Sequence, residues 1–166
     1  MSETTNVWAT TAVAASSVAN NTPAADAVLL REKVLQMTQT AQDAVLRPAQ
    51  PGRWPHALRA ALACRIARLN QSPDVAAHYQ AMIGSGDYDH VADPDAGNAP
   101  ADLKPCLDFM DRVATRPRDI TEQDIQILQT AGVADADIVR LSELNAFLAY
   151  QIRLVAGLSL LTEANL

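Results

Sequence analysis

Residues 135–161, DADIVRLSELNAFLAYQIRLVAGLSLL, decide how the chain reads. Ile138, Leu141, Leu144, Leu148, Ile152, Val155 and Leu158 recur three and four residues apart, the spacing of one helical face. Val139, Phe147, Leu154 and Leu161 lie off that stripe, and Asp135 fits the capping position. A helix apolar on more than one face must be covered on several sides, which a small bundle achieves most easily with a second subunit. The expectation is a homo-oligomer, most simply a two-fold dimer. Glu143, Asn145, Gln151 and Arg153 interrupt the run, leaving it short of the roughly 20 apolar residues that span a bilayer, so no membrane segment is expected. If buried, Arg153 would need a partner such as Glu143 or Asp137; otherwise its head would reach out to solvent.

The segments before it also read as helices. Thr121 opens a short helix that Gly132 closes, and Cys106, Phe109, Met110 and Val113 mark another that stops at Arg116 before Pro117. Residues 84–100 are acidic and rich in Gly, Pro and Asp, as in a surface loop. Ser72, Pro73 and Asp74 supply a cap, a first-turn proline and an acid for a helix running to about Ile83. Pro55 opens a helix to about Asn70 with Leu58, Leu62, Ile66 and Leu69 on one face and Arg59, Arg65 and Arg68 elsewhere. Thr22 and Pro23 begin a long amphipathic run through Val28, Leu35, Gln39 and Val45, ended by Pro48. Residues 1–21 lack periodicity and read as a poorly ordered, flexible arm, docked by Trp8. No segment alternates with period two. The expected class is all-α, about six helices in one domain over residues 22–166.

Composition agrees with one domain: 166 residues, 49% hydrophobic and 19% charged. A formal charge of -6 without any Lys/Arg cluster disfavours nucleic acid and anionic membrane surfaces as partners. The first residues, MSETTNVWATTAVAASSVANN, place an acid where a secretory signal is basic, and the chain reads as cytoplasmic. Cys64 and Cys106 lie far apart and read as buried, reduced thiols.

His56, His78 and His90 have no histidine or cysteine three or four residues away, so neither a metal nor another cofactor is indicated. The stretch with Asp87, Asp89, His90, Asp93 and Asp95 lacks the central glycine and terminal glutamate of an EF-hand loop. His78 and Tyr79 lie in the first turns after Ser72. They are weak candidates for proton transfer or for a small-molecule pocket shared with Cys64 and Asp74, against the plainer reading of a packed pair. No Gly-rich phosphate loop and no Ser, His and acid arrangement can be assembled.

The stretch 59–79, RAALACRIARLNQSPDVAAHY, and the stretch 109–161, from FMDRVATRPRDITEQDIQILQTAGVADAD through the long helix, resemble the alkylhydroperoxidase D and carboxymuconolactone decarboxylase superfamily. The likeness covers roughly residues 23–161. It implies a helical fold that forms homo-oligomers, with an active site at the start of the helix after Ser72. In that family an Arg-Glu pair opens an Ala-rich helix and C-x-x-C-x-x-x-H follows. Aligned without a gap, Ala60 stands at the glutamate, Ser72 and Val75 at the cysteines, and Tyr79 at the histidine, with His78 one residue early. A dithiol peroxidase needs one ionised thiol and a second to resolve the sulfenic acid. Ser72 and Val75 can do neither. The expectation is therefore a small-molecule-binding or structural oligomer. The alternatives are a non-redox decarboxylase or isomerase using His78 or Tyr79, and residual alkylhydroperoxidase activity.

Overall fold

A computed structural model describes residues 6–84, 86–97 and 100–163, and among them every regular element is helical. Two short pieces come first, a 3-10 turn at Val7–Ala9 and α1 at Thr11–Ala15. The arm expected to be flexible is thus folded onto the bundle over residues 6–21; residues 1–5 lie outside the described set. Val7, Ala12 and Val13 are each 2% exposed. Their small side chains let this backbone press against its neighbours, and Thr11 N–H donates to Gln39 Oε1 at 2.9 Å. Without periodicity in the segment, only these tertiary contacts decide its structure.

The run expected as one helix from Thr22 is two, α2 (Pro23–Leu30) and α3 (Glu32–Leu46), separated at Arg31. Thr22 caps α2 as its chemistry suggests, its hydroxyl accepting from Ala25 N–H at 3.2 Å. The turn that follows α3 contains Gly52 at φ +63, where a Cβ would run into the Asp137 carboxylate. Only glycine suits that position.

α4 (His56–Leu69) is the hub of the molecule, packing against α3 and against the later helices Pro73–Ile83, Asp89–Ala92, Lys104–Thr115 and Asp135–Glu163. All ten residues from Leu58 to Ala67 are buried, including Arg59 and Arg65. The amphipathic reading is corrected here: these two arginines are inside, because backbone carbonyls and one carboxylate satisfy them. Ala60, Ala61, Ala63 and Ala67 leave room for close helix contact. α5 (Pro73–Ile83) begins where expected, but the Ser72 side chain makes no cap bond. The Ser72 carbonyl instead accepts from Ala76 N–H at 3.0 Å.

The acidic segment is not wholly a surface loop, since it folds into α6 (Asp89–Ala92), where Val91 and Ala92 are fully buried. α7 (Lys104–Thr115) and α8 (Glu122–Thr130) follow, α8 opened by a reciprocal Thr121–Asp124 capping box. α9 (Asp135–Glu163) is 29 residues long. Its inner face carries Leu141, Leu144 and Leu148 into the core, while Val139 and Tyr150 on the opposite side are exposed. By length and composition alone, Asp135–Thr162 would pass as a membrane span, against the sequence expectation, with mean hydropathy 1.4 over its best window. Two of its polar residues, Asn145 and Gln151, point inward, however. Asn145 Nδ2 donates to Met110 O at 2.9 Å, and Gln151 enters the network described next.

Candidate functional site

The start of α5 is where the sequence directs attention, and its inward-facing residues are packed into the core. Val75 and Tyr79 are fully buried and Ala60, from α4, is 1% exposed. Tyr79 reaches α9, its hydroxyl donating to Gln151 Oε1 at 2.5 Å. Gln151 Nε2 then donates to Gln42 Oε1 of α3 at 2.6 Å. Burial pushes the Tyr79 phenol well above its ordinary range, outweighing the Gln151 hydrogen bond that favours ionisation. This ladder is therefore neutral and joins three helices through the core. It can position helices, but it offers no group that exchanges a proton near neutral pH.

His78 is the neighbour of Tyr79, their rings edge to face at 5.2 Å between centroids. Its Nε2 lies 3.1 Å from Thr11 Oγ1, so the N-terminal segment covers the imidazole. Burial, with a smaller contribution from Arg47, lowers the His78 pKa and favours the neutral ring. Cys64 is fully buried, its thiol directed to Ala76 O at 3.4 Å and Gln80 Oε1 at 3.5 Å, and burial raises its pKa against the opposing pull of Arg68. Burial likewise raises that of Cys106. Both thiols are thus held in the unreactive protonated form. Asp74 is exposed. The suggested pocket of Cys64, Asp74 and His78 is therefore not assembled, with the thiol inside the bundle, the carboxylate in solvent and the imidazole beneath Thr11. Ser72 borders an open groove of about 280 Å³ with Arg68, Gln71 and Pro73.

Other clefts lie elsewhere. One of about 590 Å³ runs along α7 and α8, where Lys104, Asp108, Arg112 and Asp124 mix both charges beside Phe109 and Ile127. Two of the cations there are paired, Lys104 with Asp108 and Arg112 with Asp124, and Arg116 also borders the cleft. A smaller one, about 210 Å³, is bordered by Arg65, His90, Asp93 and Lys104. His90 Nε2 is buried without a hydrogen-bond partner among the described residues. Arg65 is fully used, its Nε and Nη2 donating to both oxygens of Asp111 at 2.7 Å and its Nη1 to Val91 O and Asp93 O. Among the described residues no three His, Cys, Asp or Glu side chains gather to hold a metal ion, and the aspartates at 87, 89, 93 and 95 form no such cage. Asp89 instead accepts from Gln80 Nε2 at 2.8 Å.

The inward roles of Gln42, Gln151, Arg59 and Arg65 are not foreseen from the sequence. A signal for two of them existed. Gln151 interrupts the most apolar helix, and Gln42 lies on the same side of α3 as Leu35 and Leu46, so both occupy core positions. Comparison of the chain with protein-family models, with curated proteins and with solved structures gives no match in any of the three.

Proposed function

We propose that the chain is a non-redox binding or structural protein of the cytoplasm, working as a homo-oligomer and derived from a fold like that of the alkylhydroperoxidase D and carboxymuconolactone decarboxylase superfamily. The observation that carries this reading is the closure of the α4–α5 junction. Where the resembled family holds its thiols and histidine, this chain has the Ser72 side chain, a buried Val75, and a buried Tyr79 locked to Gln151. A peroxidatic step needs an accessible thiolate, and the two thiols present are buried with raised pKa values.

The test is turnover of hydrogen peroxide and alkyl hydroperoxides with a dithiol reductant, which should not exceed a buffer control. Thiol-dependent turnover abolished by Cys64→Ser would overturn the proposal. The decarboxylase or isomerase alternative asks His78 to transfer a proton. Its lowered pKa leaves it neutral and able to act as a base, but its Nε2 is engaged by Thr11 and lies under the N-terminal segment. That alternative requires Thr11 to move aside, and His78→Ala would then abolish activity on a small carbonyl acid while leaving the helical circular dichroism intact.

A further inference from the structure

The outer face of α9 carries its own pattern. Val139, Glu143, Ala146, Tyr150, Leu154 and Gly157 follow one another at steps of four and three residues, the spacing of a helix–helix seam. Val139 is 55% and Tyr150 45% exposed, and Glu143, Ala146 and Gly157 are also exposed. This stripe lies opposite the buried one, and apart from the half-buried Leu154 and the Tyr150 hydroxyl the bundle leaves it open. Beside it, Leu30, Val34, Met37, Ala41 and Ala44 form a second exposed apolar row. The two rows meet where Thr38 Oγ1 and Tyr150 Oη lie 2.9 Å apart.

We infer that this face binds a second copy of the chain, α9 against α9 in antiparallel orientation, with the two-fold axis crossing the outer face at the level of residue 148 along each helix; the inference rests on the oligomeric part of the function proposed above. Three features select this occupant and register. Val139 then lies over the second copy's Gly157, which has no side chain and has open space above it. Tyr150 lies over the second copy's Ala146, large against small. Glu143, which makes no ion pair among the described residues, comes level with Arg153, whose Nη1 bonds only the Ala149 carbonyl of its own helix. A parallel arrangement would instead oppose Glu143 to Glu143 and Tyr150 to Tyr150.

The area suits a weak, reversible dimer when both rows take part. At 1.5 Å per residue and roughly 10 Å width, the stretch 139–157 offers about 270 Å² and the stretch 30–44 about 200 Å². Two copies would then bury close to the roughly 1,000 Å² at which a specific interface begins. The dimer should be reversible at micromolar concentration.

Sedimentation velocity from 1 to 200 µM is the first arm of the test, with twice the 17.8 kDa chain mass expected at the upper end. Ala146→Arg, at an exposed position, should weaken association at least tenfold without changing the circular dichroism spectrum. The second arm mixes Val139→Cys with Gly157→Cys and adds a short bismaleimide. A cross-linked dimer should form in the mixture and not in either variant alone, the native thiols being buried. A chain that stays monomeric at 200 µM would overturn the oligomer and the seam together. A dimer indifferent to Ala146→Arg, or one cross-linked by Val139→Cys alone, would overturn the seam and its register while leaving the oligomeric reading intact.

Discussion

The two buried arginines of α4 stand six residues apart and solve the same problem differently. Arg59, 2% exposed, has no carboxylate partner among the described residues; its Nε, Nη1 and Nη2 donate to the carbonyls of Trp54, Val45 and Pro51 at 2.8–2.9 Å. Arg65 meets the Asp111 carboxylate with two bonds and directs its third nitrogen to Val91 and Asp93. Burial lowers the Arg59 pKa, and Arg140 adds to the effect, while Asp137 and Glu143 oppose it. A guanidinium keeps its charge even so. Carbonyl dipoles can therefore hold a buried cation when three converge, and in doing so the cation fixes the turn between α3 and α4. The Arg65 pair does the corresponding work for α6 and α7.

The largest expected effect tests the Arg59 side. Arg59→Met would leave three inward carbonyls without their charged donor and should destabilise by about 3–5 kcal/mol in urea unfolding. Arg59→Lys should recover less than half, because an ammonium cannot reproduce the planar fork. A loss under about 1 kcal/mol would mean that water replaces the guanidinium freely and that the turn does not depend on it. On the Arg65 side, Asp111→Ala should cost about 2–3 kcal/mol, less than Arg59→Met, since Arg65 retains two carbonyls and the Asp111 side chain is 27% exposed. Equal or reversed losses would break the ranking.

Tyr79→Phe supplies the neutral limit. It removes one hydrogen bond from a ladder without charge and should cost about 1–2 kcal/mol, with the helical spectrum unchanged. The smallest effect is a pH slope. His78 has a lowered folded pKa, so the unfolded chain takes up its proton first, and stability should decline as pH falls below the unfolded value of about 6.5. His78→Gln should flatten the melting temperature between pH 7 and 5. Asp124, held below the ordinary carboxylate range first by Thr121 N–H, loses its contribution only on further acidification, so the two windows are separate. An unaltered slope in His78→Gln would assign the effect to another group.

The helices bounded by local chemistry were legible in the sequence. Pro55, Pro73, Thr121 and Gly132 sit within a residue or two of the ends of α4, α5 and α8. What was not legible depends on partners distant along the chain. Val7, Ala12 and Val13 have no periodic signature, and only contact with α3, α5 and α9 orders them. Arg59 and Arg65 look like solvent-facing charges until the carbonyls and Asp111 are in place. At the start of α5, the sequence revealed which reactive residues are missing. It did not reveal that Tyr79 would find Gln151, because residues 72 apart have no local signal.

Cys64 and Cys106 give the protein a pair of internal clocks. They sit on α4 and α7, at 0% and 2% exposure, each protonated by its surroundings. A thiol reagent can reach either one only when the helices around it part. Where reclosing outruns modification, the labelling rate reports the free energy of opening, and the ratio of the two rates tells whether α4 and α7 come apart in one cooperative event or separately.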